Sequence, residues 1–146
     1  MNAQDLQDLQ TAFPNAMIVR FITVPVRADF IESGELYLLT DSNAEIANKF
    51  FNCPVYVFKS VHDLVAQAAS CGNSETGVYW DMFSMLMWTG RRLNGQARSF
   101  HFRIEKIGLV HLVASVHKSE VDDPAPVLDI MTMAEWEKIQ ECTQSD

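Results

Sequence analysis

The chain has 146 residues, the length of one average domain, and can bury a sizeable core without disulfides or metal. With 48% hydrophobic and 21% charged residues, its composition excludes the disordered class. No apolar run approaches the roughly 20 residues of a membrane span, and the segment Met1 to Asp5 lacks the basic and then apolar plan of a signal peptide. We therefore expect one cytoplasmic domain over residues 1–146, with no membrane contact.

The cysteines, the motifs and the net charge exclude further classes. Cys53, Cys71 and Cys142 are widely spaced without a C-x-x-C pair, which indicates ordinary thiols rather than disulfides or a zinc site. The glycines match no phosphate-binding loop, and no nucleophile motif is present. A formal net charge of −8 opposes attraction to nucleic acid phosphates. We expect no catalytic motif, cofactor or resident metal, and nucleic acid is not the expected partner.

The charge is unevenly distributed. Between Ser119 and Asp146 there are eight acidic residues against Lys138 alone. Between Arg91 and Lys106 the balance reverses, with five cationic residues against one acid. A local basic patch therefore lies on an acidic protein.

The N-terminal half predicts short helices and strands. Residues 3–12 have the three- and four-residue apolar spacing of a helix, and residues 16–24 have the β-branched and aromatic composition of a strand. Residues 27–33 can form two helical turns ended by a glycine, residues 36–39 a brief strand or extended link, and residues 42–51 an amphipathic helix.

A strand and a second amphipathic helix follow. Residues 55–58 form a compact apolar strand. Ser60 is expected to cap the next helix, with Asp63 as a weak capping-box acid. The core side of this helix is predicted to contain Val61, Leu64, Val65, Ala68 and Ala69.

The segment from Val78 to Trp88 has eight large apolar side chains among eleven residues. That is too many for one face of a surface helix, so it predicts a central core helix with protein on most sides. We expect the helix to run over about 78–93, with Arg91 and Arg92 at the negative end of its dipole.

The next two segments predict a β-hairpin. Residues 99–105 and 109–117 alternate in polarity, and the loop 106–108 ends in a glycine. The expected register pairs Ile104 with Val110, and it continues from there along both strands.

The C-terminal segment adds a third strand and a helix. Residues 127–131 are predicted to pair beside the hairpin, and Thr132 and Glu135 form a capping box for a helix with the stripe Met133, Trp136 and Ile139. The predicted class is α+β, with a three-stranded antiparallel meander packed against the 78–93 helix.

Six segments carry a resemblance to a known family. They are FIESGELY (30–37), CPVYV (53–57), VYWDMF (78–83), FHF (100–102), HLVA (111–114) and PVLDIM (126–131). Over about residues 20–132, this pattern of core positions resembles a family of small proteins of unknown function carried by plasmids, phages and other mobile elements. The resemblance implies no catalytic residue. Since accessory proteins of mobile elements often act by binding a host or rival protein, it implies a protein partner.

Asp81 is the one carboxylate within the apolar helix. Unpaired and buried, it would cost several kcal/mol or become protonated. One hypothesis makes it an acid or base in a pocket lined by Tyr79, Trp80 and Trp88. The alternative makes it a structural anchor hydrogen-bonded to backbone or to an arginine, or an exposed residue on a polar stripe with Ser84 and Arg91.

The outward face of the predicted sheet supplies a second candidate site. The expected register sets Arg103 opposite His111 and leaves His101 and His111 as diagonal neighbours. Asp129 could join them from the third strand. Two imidazoles and a carboxylate are suited to a divalent metal, and an arginine with histidines is suited to an anion. The alternative is a solvated strand face.

The leading functional hypothesis is a small, non-enzymatic accessory factor that binds a protein. It would inhibit or regulate a host or rival nucleic-acid-handling protein through an acidic surface. The partner-binding candidates are Glu120, Asp122, Asp123, Glu135, Trp136, Glu137 and Glu141. The alternative is a small enzyme or a ligand- or metal-binding protein, with its site at Asp81 or at His101, Arg103 and His111. A homodimer formed through Met133 and Trp136 is a third possibility.

Overall fold

The computed structural model describes residues 22–23, 27–93, 97–118 and 125–144. The described strands are β1 (Ile22–Thr23), β2 (Leu36–Leu38), β3 (Val55–Phe58), β4 (Arg91–Leu93), β5 (Ala97–Ile104), β6 (Gly108–Lys118) and β7 (Pro126–Thr132). The described helices are α1 (Arg27–Glu32), α2 (Asp41–Phe50), α3 (Lys59–Ser70), α4 (Glu75–Thr89) and α5 (Met133–Gln144). The helix predicted at 3–12 and most of the strand predicted at 16–24 lie outside these residues. None of the described helices has the length and apolarity needed to cross a bilayer.

The strands form one mixed sheet in the order β2-β3-β7-β6-β5-β4, and β1 pairs in parallel with the end of β6. The α+β class is therefore confirmed, but the prediction of a three-stranded sheet is wrong. Strands β5, β6 and β7 are antiparallel neighbours, and they are extended on the other side by the parallel pair of β7 with β3. Parallel strands need a long crossover connection, so this pairing leaves no local signal in the sequence.

The hairpin has a different register from the predicted one. Ile104 pairs with Gly108, so every cross-strand partner is shifted by two residues. The physical reason is the turn, which is closed by a hydrogen bond from Ile107 N–H to the Ile104 carbonyl (3.0 Å) and places Lys106 at a φ of 70°. A shift of two keeps each side chain on its predicted face. Phe100, Phe102 and Ile104 are accordingly buried together.

The larger core lies between one face of the sheet and helices α2, α3 and α4. Tyr79, Met82, Phe83 and Leu86 of α4 are almost completely buried there. Val61, Val65 and Ala68 of α3 are buried as predicted, whereas Leu64 is half-buried and Ala69 is exposed. These helices cover the face to which Phe100, Phe102 and Ile104 point.

Helix α4 differs from the predicted helix at both ends. It begins at Glu75, after Ser74, whose Oγ accepts a hydrogen bond from Gly77 N–H (3.2 Å). It ends at Thr89, and the residues Arg91 to Leu93 form strand β4 along β5 instead of a last helical turn.

A second core lies on the opposite face of the sheet, beneath α1 and α5. Its buried residues are Leu36, Phe58, Ala97, Val113, Met131 and Trp136. The predicted capping box of α5 is confirmed, because Glu135 N–H donates to Thr132 Oγ1 (3.3 Å) and Thr132 N–H donates to Glu135 Oε1 (3.3 Å).

The predicted cap of α3 is wrong. The helix begins at Lys59 without a side-chain cap, and Ser60 Oγ donates instead to Glu135 Oε1 of α5. Asp63 forms an exposed ion pair with Lys59 at 3.1 Å rather than a capping box.

Replacing Gly90 should loosen the junction between α4 and β4. A Cβ at this position would lie 2.5 Å from the Leu86 carbonyl oxygen, so Gly90→Ala must displace backbone. We expect a loss of about 1–3 kcal/mol in the free energy of unfolding, measured in urea. The matched control is Gly77→Ala, whose Cβ would meet nothing closer than 3.4 Å and which should be neutral or slightly stabilising. Equal stability of Gly90→Ala and the natural chain would contradict this account of the junction.

Trp136 is 5% exposed within a single chain, so little of its side chain is available to a dimer or to a partner. Trp136→Ala should therefore lower the free energy of unfolding by about 3–5 kcal/mol through the cavity it leaves. The neighbouring exposed substitution Glu137→Ala should stay within about 0.5 kcal/mol of the natural chain. Urea unfolding and light scattering together test this, and a change in oligomeric state without a loss of stability would refute it.

Candidate functional site

An open groove lies where α4 passes the edge of the sheet and continues into β4. The loop before α4 is attached to the β5–β6 turn, where Asn73 Nδ2 donates to the Glu105 carbonyl (2.9 Å). The other end of the helix leads to Arg91, which pairs with Ser99. The groove has a volume of about 740 Å³, and its lining includes Met85, Trp88, Arg91, Ser99, His101 and His111.

Trp88 is the most exposed large apolar side chain among the described residues, with 85% of its surface accessible. The buried residues of α4 follow helical spacing up to Leu86, and Trp88 lies about 200° around the helix from that residue. Trp80 is 44% exposed and packs edge-on against Phe50 at a ring centroid distance of 5.0 Å. The expectation that protein surrounds this helix on most sides is therefore wrong at Trp88.

His101 and His111 form a stacked pair at the groove. They are direct cross-strand partners, with ring centroids 3.8 Å apart and an interplanar angle of 21°. The predicted diagonal arrangement is thus incorrect, and Arg103 lies opposite Leu109 rather than His111. His111 Nε2 is buried and has no hydrogen-bond partner among the described residues. Neutral imidazoles stack without penalty, whereas two protonated rings at this distance repel each other.

The pKa of His111 reflects this arrangement. Burial lowers the pKa of His111 below its ordinary value, and the neighbouring His101 lowers it further. Glu137 on α5 acts in the opposite direction. In the unfolded chain His111 has its ordinary pKa, so as the pH falls the unfolded chain binds the proton before the folded protein does. The burial of neutral His111 therefore costs no stability above that ordinary pKa, and the free energy of unfolding decreases as the pH falls through it.

The structure does not bring Asp129 to the two histidines. Asp129 is 2% exposed and pairs with Ser115, four positions along β6 from His111. The proposed set of two imidazoles and a carboxylate is therefore not assembled. Within the described ranges, no group of three or more histidine, cysteine, aspartate or glutamate side chains is placed to hold a metal.

Asp129 instead belongs to a buried polar cluster with Ser115 and His117. Ser115 Oγ lies 2.6 Å from His117 Nε2, and Asp129 Oδ2 lies 3.7 Å from the same nitrogen. A catalytic relay needs the serine and the carboxylate on different ring nitrogens, so this cluster is not arranged as a triad. All three residues are at most 3% exposed, which indicates a structural role.

Cys53 lies close enough to this cluster to be affected by it. Burial, and then the charge of Asp129, raise the pKa of the Cys53 thiol to about 12. A thiol with this pKa is protonated at neutral pH and is a poor nucleophile. This agrees with the prediction of an ordinary buried thiol.

Asp81 is exposed on α4 and does not lie in an apolar pocket. The structure therefore agrees with the alternative of a solvent-facing residue. It shares a helix face with Met85 and Trp88, four and seven positions further along, but the groove lining does not include it.

The acidic candidates are placed in different environments. Glu135 is occupied by the capping box and Ser60, and Trp136 is buried. Glu137 and Glu141 are exposed on α5. Glu120, Asp122 and Asp123 lie outside the described residues.

The sequence patterns predict neither the exposure of Trp88 nor the position of Arg91 at the groove. A helical projection restricted to the spacing Tyr79, Met82, Phe83 and Leu86 would have placed Trp88 outside the buried side. The strand β4 has no comparable signal, because it is only three residues long and follows the helix directly.

Comparison of the chain with protein-family models, with curated proteins and with solved structures finds no match. The resemblance to proteins of mobile elements stays a prediction.

The stacked pair gives a direct test by NMR titration of the imidazole protons. His111 should titrate below 6.5, the ordinary value for histidine. His101→Phe keeps a ring in the stack but removes its charge, so the pKa of His111 should rise, whereas Glu137→Gln should lower it. An unchanged or lower pKa of His111 in His101→Phe would show that the rings do not interact as described.

Proposed function

We propose that this protein is a non-enzymatic protein-binding factor that contacts its partner through the Trp88 groove. The observation that supports this most is the 85% exposure of Trp88 on the rim of a groove of about 740 Å³. Tryptophan and arginine are enriched among the residues that dominate binding energy at interfaces. Burying an indole of about 200 Å² would contribute about 5 kcal/mol, before the costs of association are subtracted.

The charges around the groove favour an acidic contact surface on the partner. Arg91, Arg92 and Arg103 are exposed on β4 and β5, and Lys106 is exposed in the adjoining turn. Glu105 is the only acid between Arg91 and Lys106. Opposite charges would steer the encounter and would favour this face over the acidic remainder of the chain.

The acidic surface remains a second candidate for partner contact. Of its proposed residues, Glu137 and Glu141 are exposed on α5 and available to a basic protein. A role in inhibiting or regulating a nucleic-acid-handling protein would use this surface. Because Glu135 is occupied by hydrogen bonds and Trp136 is buried, the acidic surface is a weaker candidate for partner contact than the groove.

A small-ligand function is also supported by one observation. The volume of the groove falls within the range of about 300–1,000 Å³ typical of ligand sites, and its lining contains two histidines and an arginine. A thermal-shift screen with small carboxylates and phosphates tests this alternative. A shift that disappears in His111→Ala would favour a ligand-binding protein, and no shift with any compound would exclude these ligands.

Partner capture should separate the two surfaces. We expect proteins recovered from a lysate of the source cells to decrease at least about tenfold with Trp88→Ala, since removing such an anchor costs 2 kcal/mol or more. Leu38→Ala, at the opposite edge of the sheet and also exposed, should leave recovery unchanged. The double variant Glu137→Gln and Glu141→Gln should have a small effect.

Quantitative mass spectrometry of the recovered proteins provides the measurement. Recovery that depends on Glu137 and Glu141 but not on Trp88 would transfer the binding function to the acidic surface. Recovery that depends on neither would refute both surfaces.

A further inference from the structure

The outer edge of β5 is only partly covered. Strand β4 pairs with Ala97 to Ser99, and no strand among the described residues pairs with the same edge from Phe100 to Ile104. We call this stretch the β5 edge. We propose that the β5 edge binds an acidic, extended peptide segment of the partner as an additional strand; this rests on the function proposed above and specifies its partner.

The backbone geometry supports strand addition. The turn uses the Ile104 carbonyl, which is directed at β6, and backbone directions alternate along an antiparallel strand. The N–H and C=O groups of Phe102 therefore point to β6, and those of His101 and Arg103 point to the open side. These outward groups are the template that a further strand requires.

The side chains along the edge select an acidic strand. Arg91, Ser99, His101 and Arg103 have their side chains on the same face of the sheet, by the alternation of β5 and its register with β4. Arg91 and Arg103 are exposed, and neither has an ion pair with a carboxylate of the described residues. A carboxylate next to His101 and another opposite Arg103 would meet this positive charge.

The other side of the edge is apolar. Met85 and Trp88 of α4 line the groove from the face that contains Phe100. In an added strand, the residue between the two acids points to this side, because successive side chains alternate. The expected recognition pattern is therefore acid, apolar, acid.

The same cations and indole could contact single-stranded nucleic acid, which also combines charge with stacking. Two observations favour the peptide. The net charge of −8 repels a polyanion with many phosphates more strongly than a segment with two or three carboxylates. The alternation of cationic and apolar contacts across an open strand edge also matches a β-strand rather than a sugar-phosphate chain.

The test uses the full chain and the synthetic peptide Ser-Glu-Leu-Glu-Leu-Glu-Ser, blocked at both ends, with binding measured by calorimetry and amide NMR shifts. The control peptide Ser-Glu-Glu-Glu-Leu-Leu-Ser has the same composition without the alternation and should bind more weakly. Trp88→Ala should weaken binding by about 30-fold and Arg103→Gln by about 3- to 5-fold. The control Lys59→Gln removes the same charge from an exposed position on α3 and should have no effect.

Backbone methylation isolates the strand hydrogen bonds from the charges. Two versions of the peptide carry N-methyl groups on alternate backbone nitrogens. One version (the first phase) is methylated at the even-numbered residues and the other (the second phase) at the odd-numbered residues. One phase should weaken binding by about tenfold and the other should have little effect, since only one set of N–H groups faces β5. The amide signals of His101 and Arg103 should shift on binding.

The possible failures are distinguishable. If Trp88→Ala reduces partner recovery but neither methylated phase matters, strand addition is overturned and the proposed function stands. If the peptide binds in the expected way but Trp88→Ala leaves partner recovery unchanged, the proposed function fails. A single-stranded oligonucleotide that binds more tightly than the peptide and depends on Arg103 would overturn the choice of partner.

Discussion

Burial of β6 and β7 on both faces is the constraint on which the rest of the structure depends. Residues 112–117 and 127–131 form two consecutive runs of buried side chains, so neither face of these strands can be left to solvent. One face is covered by α3 and α4, and the other by α1 and α5. Polar side chains on such strands must find partners inside the protein, which explains the contact of Ser115 with His117 and the approach of Asp129.

Features that depend on local pattern were predictable from the sequence. The alternation of Phe100, Phe102 and Ile104 predicted the buried face of β5, and Thr132 with Glu135 predicted the start of α5. The hairpin register was not predictable in the same way. A shift of two residues returns every side chain to the same face, so the hydrophobic pattern fits both registers equally well and the turn decides between them.

Features that depend on long-range pairing were not predictable from these patterns. The parallel pair of β3 with β7 connects segments about 70 residues apart, and it adds β3 and β2 to the sheet. The candidate site shows the same limit. Alternation along the hairpin predicts that His101 and His111 lie near each other. The position of Trp88, in contrast, depends on where α4 crosses the sheet edge. For Asp129, alternation predicts the face of the sheet but not the distance along the strand from His111.

The bond between Ser60 and Glu135 has a consequence for how the molecule opens. Glu135 Oε1 accepts from the Thr132 backbone at the start of α5 and from Ser60 at the start of α3, which cover opposite faces of the sheet. A single carboxylate oxygen therefore joins the two helical layers at the end of β7. Detachment of either layer must break this hydrogen bond, which adds about 1.5–3 kcal/mol, the typical contribution of a hydrogen bond to a charged group, to the free energy of local opening on either face.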